Sequence, residues 1–566
     1  MGSAREGVAV IPAGRQPGTA RETPDIYGCY PRLSDVQMAA LSVLGERRPT
    51  HPGEILFREG DLSCDFFVVS AGKAAVMEGY GTPAEQIIGV HGPGRFLGEL
   101  SLLTGEALLV TAVTLDPGEV VQIPASGLHD LVTHDPAVGD LILRAYLSRR
   151  SLLIGLGAGL KIIGSGFSPG ARRLRDFAIR NRLPCRWIDL EADERAERLL
   201  RRLGVPAGET PIVILYGRNI LHNPSNAELA AALGLSPPMA DQEVCDLVVV
   251  GAGPAGLAAA VYAASEGLAT VVVDALATGG QAGTSSRIEN YLGFPSGIPG
   301  AELAERAAIQ ARKFGASIHI PAEAVSLARR GDYHAVGLDH GEALCGRMVV
   351  LASGVTYRKL RVVCQDKVES TSVYYAASQA EAQLCRSDPV AVLGGGNSAA
   401  QASLFLAQHA SVVRLVINGD DLGAGMSRYL ADQLQHSDRI DVIMNSEVCE
   451  LAGRDTLEAV VIRDVRTRAR RAFPARALFV FIGAEPHTGW LRDQIALDEH
   501  GFVRTGNAAD AGNGADAAKR RPLSLETSQT GVFAAGDVRS GSIKRVASAA
   551  GEGAMAVRMA HERRTS

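Results

Sequence analysis

The chain has 566 residues, 63 of them glycine, with 46% hydrophobic and only 5% aromatic residues and a formal charge of −5 at pH 7. A length of this order predicts several domains at roughly 100–200 residues each, and the lack of basic excess argues against a nucleic-acid partner. No apolar run reaches the roughly 20 residues needed to span a bilayer. Eight scattered cysteines without a CxxC point to a reducing cytoplasm rather than a disulfide framework.

The N-terminal residues 1–29 carry no signal-peptide h-region and read as disordered. From 30 to 150, short alternating β runs separated by Gly and Asp turns predict an antiparallel roll. It is entered by a helix over Asp35–Leu44 and left by one over Ala137–Arg149. HPGEILFREGD (51–61), FFVVSAGKAAV (66–76) and FLGELSLLTG (96–105) resemble the cyclic-nucleotide-binding domain. The resemblance implies that Gly98 offers a backbone amide and Glu99 a carboxylate to the ribose, with a following arginine neutralising the cyclic phosphate. Here ALLVTA (107–112) puts Leu109 or Val110 where that arginine belongs. A buried phosphate without its charge-assisted partner loses much of its binding energy. Cyclic AMP is therefore disfavoured, and the roll is read as a docking module or a site for another ligand.

Residues 158–238 alternate strand and helix. LKIIGSG, PCRWIDLE and Pro211–Tyr216 read as strands, and Pro169–Asn181, Asp193–Leu203 and Ser225–Leu233 as helices. This order resembles a small thioredoxin- or glutaredoxin-like domain, with Thr210-Pro211 at the family's cis-proline position. A redox pair belongs at the start of the first helix, where the dipole lowers a thiol pKa, yet FSPGAR (167–172) contains no cysteine. Cys185, at a strand start, reads as an inert core thiol. Such a module cannot exchange disulfides in the usual way and is left with holding a partner or positioning its neighbours.

The strongest pattern is CDLVVVGAGPAGLAAAVYAASEGLATVVVD (245–274). A buried strand, a GxGxxG turn (Gly251, Gly253, Gly256), a helix, and an acid about 20 residues on (Asp274) form a dinucleotide-binding unit. Gly251 permits the turn, Gly253 lets backbone approach a pyrophosphate, and Gly256 lets helix pack on strand. The helix N-terminus favours phosphate. A second glycine turn follows a second buried strand in VAVLGGGNSAAQASLFLAQ (390–408), and the chain returns through TSQTGVFAAGDVR (527–539) and KRVASAAGEGAMAV (544–557). Over residues 244–566 these motifs resemble low-molecular-weight thioredoxin reductases. The fold class expected is thus multidomain: a β-roll, an α/β thioredoxin-like domain, and two nested α/β Rossmann-like domains. These last are an FAD domain in two parts (244–356 and 483–566) and an NAD(P)H domain (357–482).

The resemblance implies FAD at Gly251, Gly253, Pro254, Ala255, Gly256, Asp274, Gly280, Gln281, Asn290, Asp537, Arg545, Val546 and Ala547. It places the nicotinamide cofactor at Gly394, Gly396, Asn397 and Ser398. The chain departs from that family in two places. Where a tyrosine precedes a CxxC, SVYYAASQAEAQLC (372–385) puts Tyr375 and Ser378 at the cysteine positions, so thiolate chemistry is impossible there. Cys385 and Cys364 read first as buried bystanders, with a solitary redox thiol as the alternative. Tyr374 or Tyr375 is expected to cover the flavin face that a disulfide would meet. The strand after the second glycine turn ends in Asn418-Gly419-Asp420 instead of the family's His-Arg-Arg; Arg428 is the substitute cation, and NADPH is favoured slightly over NADH.

The function expected is hydride transfer from NAD(P)H to FAD, with electrons leaving to ferredoxin, a quinone, oxygen or an external thiol, in a cytoplasmic homodimer without metal or membrane contact. Two alternatives stand beside it: a non-catalytic flavin- or nucleotide-binding regulatory protein, and a thioredoxin-disulfide reductase working through Cys385 or Cys364. The low-complexity stretch 507–522 is expected to be a disordered surface loop.

Overall fold

The computed structural model describes residues 11–12, 21–127, 135–235, 244–285, 287–358, 360, 362, 368, 372–375, 377, 379–454, 456–509 and 522–565. The chain forms two compact units, residues 1–240 with 318–321, and residues 241–317 with 322–566. No helix among the described residues is long and apolar enough to cross a membrane.

In the first unit, residues 46–123 form a roll of two antiparallel sheets. One holds the strands Gln86–His91, Ala74–Glu78, Thr111–Thr114 and Ile55–Phe57 in that order. The other holds Glu46–Thr50, Gly118–Ile123, Phe66–Ala71 and Phe96–Leu97. Alternation along Phe66–Ala71 sends Phe66 to a stack on Phe96 (5.4 Å between ring centres) and Phe67 towards Phe57 (6.3 Å). The helix Asp35–Leu44 has the expected bounds, set by a capping box in which Ser34 and Gln37 bond each other's backbone N–H. The exit helix is longer than expected, Pro136–Leu156. Asp135 caps it, and the apolar run after Arg149 prolongs its buried face through Leu153 until Gly157 (φ 62°) ends it. Residues 21–29, expected to be disordered, are held on the roll. Thr23 exchanges backbone and hydroxyl bonds with Val90, and Asp25 accepts from the Tyr30 N–H. Ile11–Pro12 pairs with Ile87–Gln86.

The rest of this unit is a four-stranded sheet ordered Cys185–Asp189, Leu160–Gly164, Ile212–Leu215, Asn219–His222. Its first pair is parallel and the others antiparallel. Helices Pro169–Arg180, Glu194–Leu203 and Asn226–Ala232 connect and cover it. The sequence reading missed the strand Asn219–His222. Tyr216 and Gly217 both take positive φ (54° and 66°) and reverse the chain there, a turn that Tyr216 does not advertise. The Thr210-Pro211 peptide is cis.

In the second unit, Cys245–Val250 lies between Thr270–Val273 and Ala343–Leu351, all parallel, and Val532–Ala534 adds to the far side of Ala343–Leu351. Leu247, Val248 and Val249 are wholly buried, as a strand covered on both faces requires. A separate parallel sheet runs Val373–Tyr374, Ala477–Val480, Pro389–Leu393, Val412–Val416, Ile440–Ile443. The two crossings between these halves, Val355–Tyr357 and Ala484–Pro486, pair antiparallel. The second dinucleotide unit is thus inserted into the first, as the order of motifs predicted.

Candidate active site

The first glycine turn is built by contacts that exclude side chains. Gly251 has φ 106°, and a Cβ there would lie 2.3 Å from the Ala352 carbonyl oxygen; one on Gly256 would lie 1.8 Å from that of Gly251. Gly253 differs. It has φ −74° and starts the helix Pro254–Ser265 without a side-chain cap, and an added Cβ would meet nothing nearer than Gly280 Cα at 3.9 Å. Its surroundings are open at an uncapped helix N-terminus, the form a pyrophosphate needs. Ala255 is pressed by the far end of the chain: a Cβ on Gly553 would lie 2.1 Å from its carbonyl oxygen, and one on Gly536 2.9 Å from its methyl.

Asp274 is positioned by three amides. Its Oδ2 accepts from Ala252 N–H (2.8 Å), and its Oδ1 from Leu276 and Ala277 (2.9 and 3.0 Å). Gly280 (φ 51°) approaches Gly253, and the Gln281 carboxamide donates to the Val355 oxygen at 3.2 Å. Asn290 is exposed on the loop closed by the Ile288–Ile298 bridge. Asp537 sits half-buried in the turn Gly536–Val538. Burial pushes its carboxyl pKa up, with Lys544 opposing and Glu552 adding to the rise. Arg545 immediately precedes the helix Val546–Thr565, which opens with half-buried Val546 and exposed Ala547. Glu552, which the sequence reading missed, holds this corner. It accepts from Gly536 N–H (2.7 Å) and pairs with Arg539. No local pattern signals it, because its partners lie more than three turns away in sequence.

The second glycine turn repeats the design. Gly394 (φ 145°) would put a Cβ 2.3 Å from the Phe481 oxygen, and Gly396 starts the helix Asn397–Leu406 without a side-chain cap, with Ser398 exposed in its first turn. Asn397 Oδ1 accepts from Ser427 N–H at 2.7 Å. That bond brings the start of the helix Arg428–Gln435, in which Arg428 is exposed, to the second glycine turn. Sequence reasoning missed Arg466, whose Nη2 lies 2.8 Å from Asp420 in the loop after the strand Val412–Val416; it arrives from a distant turn.

The expected electron exit holds no accessible thiol among the described residues. Tyr374 stacks on Phe479 (5.3 Å), and the Tyr375 hydroxyl accepts from Leu360 N–H at 2.8 Å. Both rings are engaged within the nucleotide domain, packed against two different cores. Cys385 is 2% exposed, and burial pushes its thiol up to about 11, with Asp388 and Glu381 adding to the rise. Cys185 is likewise pushed up to about 12 by burial. Ser378 and Cys364 lie outside the described residues. The seven described cysteines are all unbridged.

In the β-roll, Gly98 takes φ 98° and starts the helix Glu99–Thr104. The Glu99 carboxylate, expected to face a ribose, is buried in an ion pair with Arg149 of the exit helix at 2.7 Å. Of the two residues at the position of the expected phosphate arginine, Leu109 is half-buried, and Val110 is 1% exposed and lines an apolar cavity. The next residue of the helix, Arg150, faces the other way. It grips Glu106 through both Nη atoms (2.7 and 3.2 Å) and donates to the Asn181 carbonyl (3.4 Å) of the neighbouring four-stranded layer.

Residues 245–553 match the family model for pyridine nucleotide-disulphide oxidoreductases, and residues 47–135 match that for the cyclic nucleotide-binding domain. A 34.2 kDa protein in the rubredoxin operon of Clostridium pasteurianum is 30% identical over 57% of this chain and 98% of its own length. A thioredoxin reductase from Streptomyces clavuligerus is 30% identical over 56% of this chain and 92% of its own. The solved thioredoxin reductase of T. acidophilum superposes with a TM-score of 0.52 at 27% identity, over 57% of this chain and all of that one. The chain belongs to the pyridine nucleotide-disulphide oxidoreductase family, as a thioredoxin-reductase-like flavoenzyme that carries a cyclic nucleotide-binding domain at its N-terminal side.

Proposed function

We propose that this protein uses NAD(P)H to reduce FAD and passes the electrons to an acceptor outside its own thiols. The observation that carries the reading is the pairing of two intact, uncapped glycine turns with the absence of any CxxC from the sequence. The high, burial-raised pKa of Cys385 supports it, since the thiolate and not the thiol is the reactive form. Bound flavin supplies the hydride acceptor and the outlet for single electrons.

The chain's own part is binding and orientation. The helix starting at Pro254 and the open edge of Gly253 suit the FAD pyrophosphate, with Asp274 at the adenosine ribose. Asp537 and the start of the helix Val546–Thr565 suit the flavin side, with Gly280, Gln281, Asn290 and Arg545 flanking. The turn at Gly394–Ser398 suits the nicotinamide cofactor, and Arg428 or Arg466 offers a cation for a 2′-phosphate, favouring NADPH. We read the four-stranded layer as a thioredoxin- or glutaredoxin-like domain, a reading supported by its one parallel and two antiparallel strand pairs. Without cysteines at Phe167–Arg172 it serves as a docking module. A homodimer and an acceptor such as ferredoxin or a quinone complete the reading.

The test is anaerobic mixing of the flavin-loaded protein with NADPH and, separately, with NADH, following flavin absorbance. Bleaching followed by reoxidation with ferredoxin or a quinone is expected, in wild type and in Cys385→Ala alike. No bleaching with either nucleotide overturns the proposal in favour of a regulatory flavoprotein. Reoxidation by a disulfide only while Cys385 is intact would replace it with a thioredoxin-disulfide reductase.

A further inference from the structure

The four-stranded layer follows the β-roll almost without a linker. Gly157, Ala158 and Gly159 alone separate the exit helix Pro136–Leu156 from the strand Leu160–Gly164. Ala158 is itself buried in the roll's core with Leu153, Leu108 and Val110. So short a tether brings the layer against the loop 106–109, which follows the cassette helix Glu99–Thr104.

Every residue of that loop is engaged. Glu106 accepts from both Nη atoms of Arg150, which also donates to the Asn181 carbonyl of the layer. The Ala107 N–H donates at 3.0 Å to the carbonyl of Leu233, which caps the layer's last helix, Asn226–Ala232. Leu108 donates to the Asp61 carbonyl at 2.9 Å and accepts from the Gly60 N–H at 2.7 Å. Gly60 in turn faces the layer. A Cβ there would lie 3.4 Å from the ring of Tyr216, whose hydroxyl donates to the Ala232 carbonyl at 3.3 Å. Leu109 packs on Gly159, where a Cβ would lie 3.6 Å from Leu109 Cδ1 and 2.9 Å from the Pro184 oxygen. The Gly159 N–H donates to Glu78 of the roll at 3.3 Å, and a Cβ on Gly234 would lie 2.8 Å from the Leu62 side chain. An apolar residue suits the seam at Leu109, where a guanidinium without a counter-charge would be costly to bury. On the inner side Arg149 holds Glu99 at 2.7 Å. Consecutive arginines of the exit helix thus clamp the cassette, one on its helix and one on its loop.

We propose that the four-stranded layer is the roll's built-in ligand. It docks on the cassette loop 106–109 and, with the exit helix, locks cassette, roll and layer into one cooperative unit. That unit opens as a whole and does not answer to cyclic nucleotides. The roll is then a mount for the layer and not a sensor.

Hydrogen exchange of the full flavin-loaded chain, read by mass spectrometry over a urea series, tests this. Residues of one cooperative unit open with one free energy and one urea dependence. Peptides spanning 104–111 in the cassette and 160–164 and 212–215 in the layer should therefore share their urea dependence, and added cyclic AMP should slow none of them. Tyr216→Ala lies in the layer and removes the ring packed on Gly60. It should speed exchange of the cassette and layer peptides together, each at least tenfold. Cassette exchange that has its own, smaller urea dependence, that stays unchanged in Tyr216→Ala, or that cyclic AMP slows overturns the proposal. The wild-type urea series decides the matter even if Tyr216→Ala does not fold.

Discussion

Gly253→Ala separates binding from folding at the FAD turn. The position has φ −74° and ψ −176°, extended backbone open to any residue, and the new methyl carbon would find no atom within 3.9 Å. The flavin-free protein should therefore be as stable as wild type, or more stable by about 0.4–1 kcal/mol because the unfolded chain loses freedom. The methyl instead occupies the side from which a pyrophosphate would approach the helix start. Losing one hydrogen bond to a charged group costs about 1.5–3 kcal/mol, which raises the FAD dissociation constant by about 10- to 150-fold. The assays are fluorescence titration of the flavin-free variant with FAD and thermal unfolding of the same preparation. Gly256→Ala is the control. Its Cβ would stand 1.8 Å from the Gly251 oxygen, so backbone must move, and overpacking of this kind costs about 1–3 kcal/mol before any ligand is added. Wild-type FAD affinity in Gly253→Ala, or a flavin-free form as damaged as Gly256→Ala, would refute the assignment of Gly253 to phosphate approach.

Arg149→Leu strands the Glu99 carboxylate, whose side chain is 2% exposed, and should cost about 3–5 kcal/mol in urea unfolding, while Glu99→Leu with Arg149→Leu recovers most of the loss; a single-variant cost below about 1 kcal/mol would show the pair to be solvated. Arg428→Ala should raise KM for NADPH about tenfold more than KM for NADH, and equal effects on both would remove Arg428 from 2′-phosphate recognition. Burial opposes ionisation of Glu526, but bonds from Arg563 and from the Leu523 and Gly531 N–H groups outweigh it and hold its pKa below the ordinary 4.5. A carboxylate with a depressed folded pKa stabilises above its unfolded value and loses that contribution as pH falls through and below it. Glu526→Gln should thus narrow the difference in urea midpoint between pH 7 and pH 4, and an undiminished difference would place the acid sensitivity elsewhere.

The sequence alone determined both dinucleotide units, their nesting and the missing disulfide, because these depend on local rules. A buried strand, a turn that only glycine can make and a helix start follow each other within a few residues, and a cysteine is either present or absent. The roll was legible for the same reason, through the alternation of its short β runs. Tertiary structure alone decided what the charged groups do. Glu99 reads as a ribose ligand in its own segment, but a helix some fifty residues later brings Arg149 onto it. Asn397 reads as a phosphate-turn residue, and folding makes it the anchor of the Arg428 helix. Glu552 and Arg466 carry no sequence signal at all. Periodicity records which face of an element is buried; it does not record which distant side chain will meet it there. The GxGxxG turn was therefore recognisable from its residues, while the buried Glu99–Arg149 pair exists only where the exit helix folds back onto the roll.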